Sequence, residues 1–308
     1  MIQYLYLMSI QVLLYPLQFK WELMLWIKSK LFHGTQNIIF SMFDLKDRVI
    51  VLTGSTGVLA SALATSLAKA KAKLFILGRN KNLLLELKKS IERYTVVEYY
   101  VADVLERSEL EAVCASIVKK TGRIDVLINA VGGNLPGAVI PDEKSIFDLS
   151  EKDFDDVVDL NLKGTVLPSI VFGEVLSKQG SGSIINYSSM TVDRVITRVV
   201  GYSAAKAAME NFTKWMAVEM ALKFGDGMRV NAIAPGFFIG KQNKSLLLKE
   251  DGSLTERGEK IIKNTPMKRF GKPEELNGAI HFLCSDSSKF VTGIVLPVDG
   301  GFSAYSGV

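Results

Sequence analysis

Three side chains stand at spacings that would let them move a proton together. Tyr202 and Lys206 are four residues apart in the segment GYSAAKAAMENF, so a helix there projects both from one face. Ser189 lies 13 residues before Tyr202, at the end of the short apolar run GSIINYSS. A lone phenol is a poor acid–base group at neutral pH, because it ionises near about pH 10. An ammonium beside it favours the phenolate and lowers that value. With the Ser189 hydroxyl holding a carbonyl oxygen nearby, Tyr202 would donate a proton in a reduction and withdraw one in an oxidation. Each residue has an ordinary alternative reading, Ser189 as a strand cap and the other two as a helix surface pair. Their grouping beside a glycine turn is what favours chemistry.

Such a constellation needs a scaffold, and residues 43 onward supply one. Apolar runs at residues 48–53, 73–78, 96–104, 125–133, 182–189, 229–236 and 293–301 read as buried strands. Between them residues 59–72, 83–93, 109–120, an essentially continuous 151–176, 202–224 and 273–283 read as helices. Residues 236–266 read as irregular and polar. The alternation predicts an α/β fold: a Rossmann-type, doubly wound sheet of seven parallel strands in a three-layer αβα arrangement. The expected organisation is a single dinucleotide-binding catalytic domain over residues 42–308, with a substrate lid at about residues 237–266, preceded by an extension over residues 1–41.

The first strand runs into TGSTGVLA. Gly54, Ser55, Thr56, Gly57, Val58 and Leu59 then form a strand-to-helix turn whose backbone N–H groups could approach a pyrophosphate, with the helix N-terminus adding a favourable field. No lysine follows the glycines, so a nucleoside triphosphatase loop is not supported. Asp or Glu at the end of the second strand would bind the 2′-hydroxyl of NAD. The chain has Gly78, Arg79 and Asn80 there, giving space and positive charge that suit a 2′-phosphate. NADP is favoured and NAD stays open. Asp103, followed by Val104 at the end of the third strand, could accept from the adenine amine.

On these motifs the chain resembles the short-chain dehydrogenase/reductase family from Phe43 to the C-terminus. TGSTGVLA resembles that family's cofactor loop, with Gly57 one place early and Ala60 in place of the last glycine. INAVGG, carrying Asn129 and Ala130, resembles its strand-four motif, while SSM and YSAAK resemble its catalytic motifs. NLKG at residues 161–164 resembles the catalytic asparagine segment, which implies that Asn161 bends its helix and holds a water in a relay to Lys206. RVNAIAPG resembles the segment that brackets the nicotinamide, which implies cofactor contacts from Pro235, Gly236, Phe238 and Ile239. Gly240 stands where the family usually has Thr. Lys206 could also bridge to the nicotinamide ribose. Assembly through the long helices, as a homotetramer or at least a dimer, is implied as well.

Within the family, NAVGGNLPGA, NAIAPGFFIGKQN, NTPMKRFG and PVDGGFSAYSGV are similar to the D-mannonate oxidoreductase, or fructuronate reductase, group. That implies interconversion of a keto sugar acid and its hydroxy form, of the D-fructuronate/D-mannonate type. A gluconate 5-dehydrogenase or another ketose or 3-oxoacyl reductase would look similar. The alternative of another class, a catalytically silent nucleotide-binding scaffold, is disfavoured by intact Ser189, Tyr202 and Lys206. A small anionic sugar acid needs donors, acceptors and a cation. Asn134 beyond the strand-four glycines, Arg194 and Arg198 between Ser189 and Tyr202, and Lys241, Gln242 and Asn243 in the lid supply them, with Ser189 at the reacting oxygen. Phe237 and Phe238 read as core packing under the lid.

Composition narrows the field further. At 48% hydrophobic and 22% charged over 308 residues, the chain is globular rather than disordered. Two cysteines, Cys114 and Cys284, cannot build a disulfide framework and fit a reducing, cytoplasmic compartment. Two histidines exclude a three-histidine metal site, and no metal is expected. The net charge of +5 comes from scattered lysines, without the basic, aromatic-laced stripe of a nucleic-acid binder. Residues 1–41 hold two of the three tryptophans but no run of about 18 apolar residues that would span a membrane. They read as an extension without a catalytic role. An amphipathic helix over residues 21–31 would instead permit contact with a membrane surface or a partner. A chain starting at Met42 is therefore expected to fold and keep full kcat/KM. Thermal melts, turnover and lipid-vesicle sedimentation of both lengths check this, and an insoluble or inactive short form would show the extension to be needed.

Overall fold

A computed structural model of the chain describes residues 43–240 and 243–307. The expected N-terminal extension and its amphipathic helix lie outside the described residues. The chain divides after Asp44, and the unit Leu45–Val308 carries the sheet.

The seven strands are β1 (Val49–Thr53), β2 (Lys73–Gly78), β3 (Val97–Val101), β4 (Val126–Asn129), β5 (Gly182–Tyr187), β6 (Met228–Pro235) and β7 (Val295–Val298). They form one sheet in the order β3-β2-β1-β4-β5-β6-β7, every neighbour parallel. A strand covered on both faces has no polar side to show, which is why the central runs carry so little alternation. Successive residues of β1 serve opposite layers. Ile50 and Leu52 pack with Leu63 and Leu67 of α1 (Val58–Lys69), whereas Val51 joins Phe172 and Leu176 on the other face. The strand order reverses direction between β1 and β4, and a crevice forms beyond strand ends at such a point.

Three helices flank the first half: α1, α2 (Lys81–Ile91) and α3 (Arg107–Thr121). Next, the expected helix over residues 151–176 is interrupted. It consists of α4 (Glu151–Val158), a π-helical segment Asp159–Lys163, and α5 (Gly164–Gln179). The long α6 (Val200–Phe224) follows β5. Residues 236–266 are not irregular throughout, since α7 (Lys244–Leu247) and α8 (Glu256–Asn264) lie within them. Thr255 starts α8 by accepting from the Gly258 N–H at 3.1 Å, a cap that satisfies one orphan donor of the first turn. Ile261 is the apolar anchor of that otherwise polar helix. The final expected helix is a 3₁₀ turn, Pro273–Leu276, running into α9 (Asn277–Cys284). No described helix is long and apolar enough to cross a membrane.

The turn after β1 is held from within. Gly54 has φ +63°, and a Cβ added there would sit 2.7 Å from the Ala130 carbonyl oxygen. Gly54→Ala is therefore expected to cost about 1–3 kcal/mol from backbone strain, with the clash added, and to lower the melting temperature measured by calorimetry.

Candidate active site

Beyond the C-terminal ends of β1, β4, β5 and β6 lies a cleft of about 640 Å³. Its first wall is the turn into α1. Gly57 precedes that helix with no side-chain cap and no acidic residue in the first turn, so its positive end is uncompensated. A Cβ at Gly57 would meet only the Gly54 carbonyl, at 3.4 Å. Protein packing does not require glycine there, whereas close backbone approach by an anionic ligand does. Thr56, Val58 and Leu59 also line the cleft. Ser55 does not, being fully buried with its hydroxyl donating to the Leu77 carbonyl at 3.1 Å.

At the end of β2, a Cβ added at Gly78 would meet only Leu84 at 3.6 Å and Thr56 at 3.8 Å. Arg79 is largely exposed and pairs with Asp103 at 3.7 Å. Asn80 caps α2, its Oδ1 accepting from the Leu83 N–H at 3.1 Å. Val104 is core. Gly78, Arg79, Asn80, Asp103 and Val104 do not line the cleft. Ala130 does, whereas its neighbour Asn129 is buried, donating to Ser169 Oγ and Asn186 Oδ1, both at 2.9 Å.

The three proton-bearing residues meet at the inner end. Ser189 and Lys206 are buried and Tyr202 is half-buried. Lys206 Nζ donates to the Tyr187 carbonyl at 2.6 Å and lies 5.7 Å from the centre of the Tyr202 ring. Burial pushes the Lys206 pKa down to about 8, against the pull of the Glu210 carboxylate. Burial pushes the Tyr202 phenol up, and its hydrogen bond with Ser189 draws it back. Burial, and not the lowering expected from Lys206, sets the direction of the phenol's shift. A phenol raised from its ordinary value is protonated at neutral pH, the state that donates to a carbonyl oxygen.

Asn161 sits in the π-helical segment, fully buried. Its Oδ1 accepts from the Gly133 N–H at 3.0 Å, and its Nδ2 donates to the carbonyls of Gly133 at 2.7 Å and Val157 at 2.8 Å. The expected local deformation of the helix is present, and the side chain serves to clamp the loop after β4. A Cβ on Gly132 would lie 2.7 Å from Asn161 Oδ1 and 3.0 Å from Lys206 Nζ, so no larger residue fits between them.

Pro235, Gly236, Phe238 and Ile239 line the opposite wall. Phe238 packs into the core as expected, and Phe237 makes an edge contact with Phe302, ring centres 5.2 Å apart. Asn243 lines the cleft, but its amide is used locally, accepting from Gly240 N–H at 2.7 Å and donating to the Phe238 carbonyl at 2.9 Å. Lys241 and Gln242 lie outside the described residues. Arg194 binds the C-terminal tail, donating to the Ser303 carbonyl at 2.8 Å, and Arg198 pairs with Asp142. Neither arginine is on the cleft wall. Asn134 does not line the cleft either: it follows the cleft-lining Gly133, and both polar atoms of its amide are buried without a partner among the described residues. Sequence reasoning missed Gly132, Gly133, Tyr187 and Ser188 as site residues, though all four adjoin motifs it had singled out.

Residues 55–303 match the family model described as enoyl-(acyl carrier protein) reductase. The chain belongs to the short-chain dehydrogenase/reductase family. It is 47% identical over 275 residues to UxuB, an uncharacterised oxidoreductase of Bacillus subtilis, covering 86% of this chain and 98% of the relative. It is 33% identical over 272 residues to the 2-dehydro-3-deoxy-D-gluconate 5-dehydrogenase of Dickeya dadantii, covering 87% of this chain and all of the relative. A solved Haemophilus influenzae structure, provisionally assigned as a D-mannonate oxidoreductase and carrying bound NAD, matches with a TM-score of 0.79 at 43% identity, over 86% of this chain and 98% of the other. As a member of this family the chain is an NAD(P)-dependent dehydrogenase/reductase.

The open α1 N-terminus and the unobstructed Gly57 fit a dinucleotide, which would be held by residues 56–59, Ala130 and residues 235–239. When bound it supplies or accepts the hydride. The chain's own part would be the proton, with Ser189 placed to hold a substrate oxygen and Tyr202 to give or take its proton. Tyr202→Phe is expected to lose at least about 100-fold in kcat with cofactor binding nearly unchanged, whereas Lys206→Ala should lose both. Steady-state kinetics and fluorescence titration check this, and near-normal turnover by Tyr202→Phe would remove its assigned role.

Proposed function

We propose that this dehydrogenase/reductase interconverts a keto sugar acid and its hydroxy form, of the D-fructuronate/D-mannonate type. The observation that carries the reading is the unpartnered amide of Asn134, which adjoins Gly133 of the cleft wall without itself lining the cleft. A buried amide with no partner costs about 1–3 kcal/mol, and a hydroxyl-rich substrate offers both a donor and an acceptor to offset that cost. An acyl chain or a steroid carries far fewer such groups. The names of the Haemophilus and Dickeya relatives point to sugar acids as well. The lid is proposed over about residues 237–266, a stretch that contains α7 and α8, and the two buried free cysteines suit a reducing cytoplasm.

NADP is the favoured cofactor, because Gly78 leaves room beside Arg79 for a 2′-phosphate. NAD is the second reading. Asp103 already neutralises Arg79, and the Haemophilus relative carries NAD. A panel of keto and hydroxy sugar acids, read by nicotinamide absorbance with each cofactor, tests both assignments. Turnover should be highest with fructuronate or mannonate and with NADP. A preference for a gluconate-type substrate would select the alternative, and activity confined to acyl substrates would reject the class.

The expected homotetramer, or at least dimer, is proposed on the outer face of the long helices. Trp215, Val218 and Leu222 on α6 are 61%, 60% and 81% exposed, with Ile170 of α5 at 41%. An apolar stripe of this kind is a liability if left uncovered. Light scattering at micromolar concentration should give a mass at least twice that of the chain, and a stable monomer would refute the assembly.

A further inference from the structure

Two ionisable side chains of α6 are buried one helical turn apart. Lys206 is 2% exposed and Glu210 is 5% exposed. At i,i+4 they project from the same face, and they take hold of consecutive residues at the end of β5. Lys206 Nζ donates to the Tyr187 carbonyl at 2.6 Å, and the Ser188 hydroxyl donates to the Glu210 carboxylate. Ser188 is itself buried and immediately precedes Ser189. Proton transfer uses Lys206, Tyr202 and Ser189 and leaves Glu210 without a part. A carboxylate buried this far is costly to keep unless it is paired and hydrogen-bonded.

We propose that Glu210 is a positioning residue: its carboxylate is the counter-charge that keeps Lys206 an ammonium, and its bond from Ser188 fixes the strand end that presents Ser189. The surrounding charges are few. Glu210 faces Asp193 from the segment after β5, and Lys214 and Lys206 from its own helix. Burial raises the Glu210 carboxyl, with Asp193 adding to the effect, while the Ser188 bond and the two lysines oppose it. Lys206 in turn lies beside the Tyr202 ring, and Glu210 is the charge that opposes the effect of burial on it. Deprotonation of Lys206 would leave a neutral amine, a weaker donor to the Tyr187 carbonyl. The proposal concerns the proton machinery alone and stands whichever sugar acid is the substrate.

Two variants separate the charge from the bond. Glu210→Gln removes the charge and keeps an acceptor for Ser188, whereas Ser188→Ala removes the bond and keeps the charge. Full-length protein carrying ¹³Cε-labelled lysine is titrated by NMR without ligand, the Lys206 resonance being assigned by its loss in Lys206→Arg. The Lys206 midpoint is expected to fall by about one pH unit or more in Glu210→Gln, the low end of the shift that a nearby opposite charge produces. The alkaline limb of the kcat/KM profile should move the same way. An unchanged midpoint overturns the charge role. Ser188→Ala should lower kcat by about tenfold or more through misplacement of Ser189, and unaltered kcat overturns the positioning role. Should Glu210→Gln not give folded protein, Glu210→Asp carries the test. Its withdrawn carboxylate should lower the midpoint by a smaller amount, and no change there also overturns the assignment.

Discussion

An ammonium withdrawn from water must find an oxygen, and the one that Lys206 finds is the carbonyl of Tyr187 at the end of β5. That bond joins the longest helix of the unit to a central strand at the point where the chemistry takes place. Tyr202 stands one turn before Lys206 on the same helix, and Ser189 stands two residues beyond Tyr187. Once helix and strand are tied here, neither catalytic hydroxyl has much freedom left. The sheet supplies the strand end and the burial, and the burial in turn makes the bond strong and Lys206 easy to discharge.

Asn161 performs a parallel task on the other side. Its amide holds both main-chain groups of Gly133, and the widened helical segment is what lets a residue in mid-helix reach across. Gly132 is squeezed between this amide and the Lys206 ammonium. Loop, bulged helix and α6 are thereby packed around a single glycine, with the cleft opening beyond the C-terminal ends of β1 and β4.

Much of this was legible in the chain itself. The central strands carry Val and Ile on both faces because both are covered, and KLFILG coincides with β2 to the residue. Tyr202 and Lys206 were legible because helical spacing alone puts them together. Features that depend on distant partners were not. The break at residues 159–163 keeps a helix-forming composition, and its cause, the Gly133 backbone, lies 28 residues earlier. Arg194 read as a free cation, but it is held by Ser303, 109 residues away. Asn80 read as a ligand and serves as a cap, since one short polar side chain suits both tasks. Helix α8 was hidden because a single buried isoleucine anchors it among charged neighbours.

Gly54 and Gly57 sit three residues apart in one turn, yet different authorities impose them. Gly54 is demanded by the protein, through a left-handed backbone and a carbonyl at 2.7 Å from where a side chain would begin. Gly57 has an ordinary backbone, and a side chain there would meet only the Gly54 carbonyl, at 3.4 Å, so the demand comes from outside the chain. A library of variants sorted on folding or expression would therefore retain glycine at position 54 and accept substitutes at position 57. Sorted on cofactor capture, it would retain both. The difference between the two sorts is a map, drawn without any ligand-bound structure, of which residues belong to the architecture and which to its guest.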